Sequence, residues 1–369
     1  MDKIKVGIVG CGNISGIYFK NMGQVFEILD VKACADLDMD RAKAKAAEFP
    51  GVRAMTVDEL MADPEIRIVV NLTITRAHAP VAMQAVQSGK SVHSEKQLAL
   101  TRDEGKLLLK EAKQRKVLVG GAPDTFMGAG IQTCRQLIES GAIGTPVAAT
   151  AFMMCHGHEG WHPDPEFYYQ VGGGPMFDMG PYYLTALVNL LGPVKRVQGS
   201  ARISFPTRTI TSEKKRGTVV QVEVPTHVAG IMDFECGAVG TIVTSFDIWR
   251  HHLPCIEIHG SDGSLVVPDP NGFGGTPLLF KKGEQDWKEV TLTRPYAENA
   301  RGIGVADMAY SLLRKRRKHR CNGLLTYHVL DLMHAFHDAS VSGKAVKVRS
   351  KCEKPALMPE GLKPGQLDP

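Results

Sequence analysis

Residues able to do chemistry gather first at Gly10-Cys-Gly12-Asn13-Ile14-Ser15-Gly16, directly after the apolar run Ile4–Val9. A glycine-spaced turn between a strand and a helix suits a dinucleotide. Gly10 permits the tight turn and Gly12 lets the backbone approach a pyrophosphate. Asn13 and Ile14 open the helix whose first amides and positive dipole end hold the phosphates. The third fingerprint position carries Ser15, small enough for close helix–strand packing. Asp36 ends the next apolar run, where an acid takes the hydroxyls of the adenosine ribose. A carboxylate there repels a 2′-phosphate, and Leu37, Asp38 and Met39 follow it with no arginine to receive one. NAD is therefore favoured over NADP. Capping a helix from Asp40 is the competing task for Asp36, and Asp38 suits that equally.

These residues need elements to position them. Short apolar runs alternate with helical patterns: strands at Ile4–Val9, Leu29–Ala35, Ile66–Leu72, Ser91–His93 and Val117–Gly120, and helices at Asn13–Met22, Asp40–Phe49, His78–Ser88 and Arg102–Arg115. Ile66–Leu72 is apolar throughout, as in a parallel strand covered on both faces. This order predicts an α/β Rossmann domain over residues 1–121. A helix at Ile131–Ser140 follows. The runs Val147–Met154, Val194–Ser204, Val219–Val224, His227–Phe234, Ala238–Phe246, Ile256–His259 and Leu265–Val267 then predict an α+β domain over 122–345 with a large, mostly antiparallel open sheet. Helices are expected at Gly302–Leu313 and Thr326–Ser342. Residues 346–369, rich in proline, glycine and mixed charge, read as a loose tail.

Two further segments are Ser94-Glu95-Lys96-Gln97-Leu98-Ala99 and Gly172-Gly-Gly-Pro-Met-Phe-Asp178-Met-Gly180-Pro-Tyr182-Tyr183. With the glycine fingerprint and Ile258-His-Gly-Ser-Asp-Gly-Ser-Leu265, the chain resembles the Gfo/Idh/MocA family of glucose–fructose oxidoreductase, inositol dehydrogenase and their relatives. The resemblance runs to about residue 345. It implies that Glu95 lies near the nicotinamide ribose and that Lys96 stands between that ribose and the substrate. The family's usual proline is Gln97 here. It also implies that Asp178 and Tyr182 belong to the substrate site, with tyrosine as in one branch of the family. Four-residue spacing would put Asp178 and Tyr182 on one helical face, and Pro181 suits that helix's first turn.

The implied activity is NAD-dependent hydride transfer between the nicotinamide and a hydroxyl-bearing carbon of a sugar, polyol or related cyclic alcohol. Such a reaction needs a group to take the hydroxyl proton. Phenols ordinarily titrate near ~10, so Lys96 beside Tyr182 is expected to lower its pKa. Asp178 could orient the substrate hydroxyl or hold Lys96 charged; Tyr182 is assigned the proton transfer, Lys96 the electrostatic role and Asp178 the substrate positioning. The tyrosine and lysine roles could be exchanged. Thr73 and His78 follow the strand Ile66–Leu72, where the family has a loop against the cofactor.

His156, His158, Trp161 and His162 occupy a segment that forms the substrate wall in the family, and suit a polyhydroxylated ring. The three histidines could instead meet at zinc, but their spacing fits no common structural site and hydride transfer needs no metal. Asp124 stands where relatives carry arginine, which favours neutral hydroxyls over a carboxylate or phosphate. Arg314–Arg320 is a dense basic run, read as a solvated loop between helices.

Forty-four basic and 39 acidic residues give a net charge of +5, well short of a nucleic-acid footprint. No run is long enough for a bilayer, no signal-like segment opens the chain, and eight scattered cysteines form no C-x-x-C pair. A cytoplasmic chain with reduced thiols is expected, assembled as a homodimer or homotetramer as relatives are. Two other readings compete. One is an enzyme with tightly bound NAD that works by transient oxidation, glycosidase- or isomerase-like. The other is a non-catalytic dinucleotide-binding regulator.

Overall fold

The computed structural model describes residues 3–314 and 316–368. The first third forms strands β1 (Ile4–Val9), β2 (Leu29–Ala35), β3 (Arg53–Met55), β4 (Ile68–Asn71), β5 (Ser91–Ser94) and β6 (Val119–Gly121). Between them run helices α1 (Ser15–Gln24), α2 (Met39–Glu48), α3 (Val57–Ala62), α4 (Thr75–Gln87) and α5 (Arg102–Arg115). The sheet order is 3-2-1-4-5-6 and every neighbouring pair is parallel. All four residues of β4 are buried, as its apolar composition requires. The order reverses between β1 and β4, which opens a crevice at their carboxyl ends. The sequence pattern missed β3 and α3. The strand is three half-exposed residues long, while the helix is fixed by a capping box between Thr56 and Glu59.

The second domain contains helices α6 (Ala129–Glu139), α7 (Pro175–Asp178), α8 (Gly180–Leu191), α9 (Ile303–Leu313) and α10 (Gly323–Ser342). Its nine-stranded sheet uses β7 (Pro146–Met154), β8 (Val194–Arg202), β11 (His227–Phe234), β12 (Val239–Ser245), β13 (Ile256–Gly260), β14 (Gly263–Val267), β15 (Leu278–Lys281), β16 (Lys288–Glu289) and β17 (Val346–Lys347). β7 and β12 are parallel, and the other neighbours are antiparallel. α8 and α10 cover one face of this sheet. A two-stranded sheet, β9 (Thr207–Thr209) with β10 (Val219–Gln221), caps a separate small core of Tyr169, Ile210, Val220, Val222 and Phe246.

Two expectations are corrected. Residues 346–368 are not loose: Met358, Leu362 and Leu367 are buried, and the Tyr296 hydroxyl donates to Gln366 O at 2.5 Å. Their apolar side chains dock although proline and charge dominate the composition. The basic run is not a solvated loop either. Arg317 and Arg320 both bond Asp307, and Arg317 also bonds Asp368. His319 is buried, and Lys315 lies outside the described residues.

Candidate active site

The dinucleotide turn takes the shape its glycines imply. Gly10 has φ +102°, and a β-carbon there would lie 2.6 Å from Leu72 O. A β-carbon on Gly12 or Gly16 would meet nothing within 4 Å. α1 begins with no side-chain cap, which leaves its first-turn amides for a ligand. Ser15 is buried, and its hydroxyl donates to Gly12 O at 2.6 Å. The cradle therefore fits a pyrophosphate. The two glycines make separable predictions. Gly10→Ala is expected to destabilise the fold by about 1–2 kcal/mol from backbone strain alone. Gly12→Ala is expected to leave the melting temperature unchanged while weakening NAD at least tenfold, about 1.4 kcal/mol. Thermal melts and calorimetric NAD titration of both variants check this.

Asp36 sits at the end of β2, and its two carboxylate oxygens accept from Cys11 N (2.9 Å) and Asp38 N (3.0 Å). Helix α2 is capped by Asp38 instead, so Asp36 is not the cap. Arg41, from the first turn of α2, stands 3.9 Å from Asp36, a neighbour the sequence reading overlooked.

Glu95 and Lys96 emerge from the end of β5, across the crevice from Gly10. The Tyr18 hydroxyl, on α1, donates to Glu95 Oε1 at 2.7 Å, and Glu95 Oε2 accepts the Lys96 amide. Tyr18 was missed because an aromatic on the buried face of a helix reads as core. The Lys96–Gln97 peptide is cis. Gln97 is buried and its side-chain amide donates to Gly172 O at 2.8 Å, tying this segment to the glycine run.

Lys96 Nζ donates to Asp178 Oδ1 at 2.6 Å and to Asp178 O at 2.9 Å, and lies 5.4 Å from the centroid of the Tyr182 ring. The Lys96 and Asp178 side chains are 21% and 14% exposed, so one side of the pair faces solvent. An ammonium has three donors, and two are taken, which leaves one for a substrate. Burial would lower the Lys96 pKa, but Asp178, Tyr182 and Glu95 reverse this and hold it above the ordinary lysine range. Asp178, expected to position substrate, is instead committed to Lys96 and holds it charged.

Two expectations about Tyr182 change. The helix breaks at Met179, so Asp178 ends α7 while Tyr182 lies in the first turn of α8; they do not share one helical face. Pro181 does stand in the first turn of α8. Burial of the phenol outweighs Lys96 and raises its pKa above the ordinary value, where the sequence reading expected a fall. Tyr182 is therefore a phenol at neutral pH.

The predicted neighbours divide. Thr73 lies against the Gly10 turn, and its hydroxyl donates to Asn71 Oδ1 at 2.6 Å. His78 does not face the crevice. It is buried, with Nδ1 2.7 Å from Gln97 O and Nε2 2.9 Å from Thr73 O, so it braces two loops. Asp124 is likewise committed to the chain: its carboxylate accepts the amides of Gly302 (2.9 Å) and Gly304 (3.1 Å) at the start of α9. Burial pushes its pKa up to about 6.

His158 stacks on Tyr168 with centroids 3.8 Å apart, and its Nε2 is 3.9 Å from Asp178 Oδ2. Burial lowers its pKa, so the ring is neutral at pH 7. His156 stacks on Trp249 at 3.3 Å, away from that contact. Trp161 is 65% exposed, 5.4 Å from the His158 ring, and His162 Nδ1 accepts the Asp164 amide. His158 and His162 share Trp161 and Tyr168 as ring neighbours, while His156 packs apart from them on Trp249. The loop is anchored by a buried cluster in which Arg208 bonds Glu159 and Asp247, and Glu159 takes the His158 amide and the Tyr169 hydroxyl. Arg301 is a second residue the sequence reading missed: it donates to Asn299 and Asn271, and its positive charge works against burial in lowering the Tyr182 pKa.

A parallel sheet with a glycine turn at its switch point and Lys96 at the end of β5, joined to a sheet domain that brings Asp178 and Tyr182 to that lysine, defines a dinucleotide-dependent oxidoreductase. Residues 4–121 match the oxidoreductase family with an NAD-binding Rossmann fold, and residues 131–266 match the GFO/IDH/MocA C-terminal domain. The chain belongs to the GFO/IDH/MocA family, and is an NAD(P)-dependent oxidoreductase acting on CH–OH groups. It is 26% identical over 292 residues to levoglucosan dehydrogenase of Pseudarthrobacter phenanthrenivorans, covering 72% of this chain and 74% of that one. It is 23% identical over 291 residues to scyllo-inositol 2-dehydrogenase (NADP(+)) of Bacillus subtilis, covering 78% and 75%. Among solved structures, levoglucosan dehydrogenase with NADH and L-sorbose superposes with a TM-score of 0.80 at 20% identity, over 95% of this chain and all of that one. Aldose-aldose oxidoreductase from Caulobacter crescentus with glycerol gives 0.78 at 19% identity, over 94% and 99%. Among the described residues no helix is long and apolar enough to cross a membrane.

Proposed function

We propose that this chain oxidises a secondary hydroxyl of a sugar, polyol or cyclic alcohol, or reduces the matching ketone, with Lys96, Asp178 and Tyr182 as its catalytic residues. One observation carries the reading: Lys96, fixed by Asp178 at 2.6 Å, keeps one free donor beside the Tyr182 ring at the dinucleotide crevice. The turn from Gly10 to Ile14 would hold the pyrophosphate, Asp36 the adenosine ribose, and Glu95, with Thr73, the nicotinamide half. When bound, NAD supplies the hydride acceptor.

The substrate oxygen takes the third donor of Lys96. As C–H is lost, the oxygen gains negative character, and the fixed ammonium stabilises it without rearranging. In oxidation the hydroxyl proton would pass to Tyr182 in its phenolate form. Because burial keeps Tyr182 protonated at neutral pH, ketone reduction runs near neutrality, with the phenol as donor, and alcohol oxidation is favoured by alkali. His158, neutral beside Asp178, accepts a second hydroxyl of the substrate, and Trp161 offers its exposed face to the ring. His156 and His162 complete the wall.

NAD is preferred to NADP because the Asp36 carboxylate is held in place by two backbone amides and repels a 2′-phosphate. Eight free cysteines support a cytoplasmic setting. Exposed Ile231 and Val239, on the sheet face that the helices leave open, support assembly as a homodimer or homotetramer.

A panel of polyols, aldoses and lactones, including myo-inositol and levoglucosan, is offered with NAD or NADP while reduced nicotinamide is followed by absorbance. The reading expects NADH from at least one alcohol and a lower kcat/KM with NADP. NAD binding with no turnover across the panel would support the regulator. Cofactor that copurifies and cycles without net NADH would support transient oxidation.

A further inference from the structure

We propose that Tyr18 is a positioning residue of this site: its hydroxyl holds the Glu95 carboxylate where the nicotinamide ribose is to bind. The inference rests on Glu95 being the residue that receives that ribose.

Tyr18 is the fourth residue of α1, one turn in from the amides that follow the glycine turn. Its side chain is fully buried, and its hydroxyl donates to Glu95 Oε1 at 2.7 Å. The strand order places β4 between β1 and β5, so this bond joins the two sides of the switch point. Burial and Glu95 hold the phenol well above its ordinary range, so it remains a donor at neutral pH. The other oxygen, Glu95 Oε2, accepts the Lys96 amide at 3.1 Å. A carboxylate offers about four lone-pair sites, and these two bonds take one on each oxygen. An acceptor position is left on each, which matches the adjacent pair of hydroxyls on a ribose.

The phenol is itself held from the second domain. A β-carbon on Gly302 would lie 3.7 Å from the Tyr18 ring, so that loop packs close against it. Asp124 fixes the Gly302 amide, and Asn21, also on α1, donates to Asn299 O (2.8 Å) and Arg301 O (2.9 Å). One helix thus presents its first amides to the pyrophosphate and, a turn later, Tyr18 to Glu95. The two are separated by roughly 5 Å of helix axis, so phosphate cradle and ribose carboxylate are tied to one rigid element. A carboxylate already fixed loses no rotamer freedom when the ribose arrives.

The test compares ADP-ribose, which carries the second ribose, with ADP, which does not, by calorimetric titration of the purified protein. Tyr18→Phe keeps the ring and its packing and removes only the hydroxyl. The inference expects this variant to weaken ADP-ribose and NAD about tenfold, with ADP within about twofold of wild type. Glu95→Gln is expected to show the same split, and the double variant to lose no more than Glu95→Gln alone. With 4-aminophenylalanine at position 18, which keeps a donor, both ligands are expected to bind as in wild type. At the same position 4-methylphenylalanine fills the space without a donor, and carries the test should Tyr18→Phe not fold. Equal losses of ADP and ADP-ribose in Tyr18→Phe would overturn the inference. Loss of ADP-ribose in Glu95→Gln but not in Tyr18→Phe would overturn it while sparing the ribose reading of Glu95. Wild-type affinity for ADP-ribose in Glu95→Gln would sink that reading and the inference together.

Discussion

Lys96→Met is expected to lower kcat by about 10²–10⁴-fold with NAD affinity nearly unchanged. Methionine preserves most of the stem but removes the ammonium that would stabilise the developing alkoxide. It also leaves Asp178, 14% exposed, without its partner at 2.6 Å. The same ammonium lowers the Tyr182 pKa against the effect of burial. Its loss therefore moves the phenol further above its ordinary range, and the alkaline rise of alcohol oxidation shifts to higher pH. Steady-state kinetics across pH, with calorimetric NAD titration of the same variant, separates this from a cofactor-binding defect. Unchanged turnover would remove Lys96 from the chemistry.

Asp307→Ala is expected to be the most damaging single change to stability, by about 3–5 kcal/mol in chemical denaturation. Asp307 is fully buried on α9 and accepts from Arg320 Nη1, Arg320 N and Arg317 Nη2, all at 2.5 Å. Its removal leaves two largely buried guanidinium groups facing a void. Arg317 also holds Asp368, and Arg320 donates to Ala356 O, so the C-terminal segment is expected to loosen with it. Burial alone would raise the Asp307 pKa, but Arg320 and Arg317 reverse that and hold it below the ordinary carboxylate range. The stability it supplies is therefore complete above about pH 4 and lost only as pH falls through the lowered folded-state value. Denaturation curves of variant and wild type should converge only in strong acid.

Much of this was legible in the residues. β1, β2, β7 and β11 follow runs whose composition and alternation specify a pleated, covered surface, and Gly10 and Gly12 declare a turn that nothing else needs. Lys96, Asp178 and Tyr182 stood out because they sit in motifs. The misreadings share one cause, tertiary partners far away in sequence. Nothing near His78 says that its ring will be occupied by two carbonyl oxygens, nor near Asp124 that two amides of α9 will claim it. The C-terminal segment looked disordered because its few apolar residues are outnumbered, yet Leu367 finds a fully buried place and Asp368 finds Arg317. Arg301 carried no local signal at all. Its partner Asn271 is brought to it by the fold alone.

A crystal structure of the protein with NAD and a slowly oxidised sugar alcohol bears most directly on the central claim. The account expects the pyrophosphate on the amides following Gly10, the nicotinamide beside Glu95, and the reacting hydroxyl within hydrogen-bonding distance of both Lys96 Nζ and the Tyr182 oxygen. A sugar bound with its hydroxyls directed away from Lys96 and Tyr182, or a dinucleotide seated elsewhere than the Gly10 turn, would contradict it.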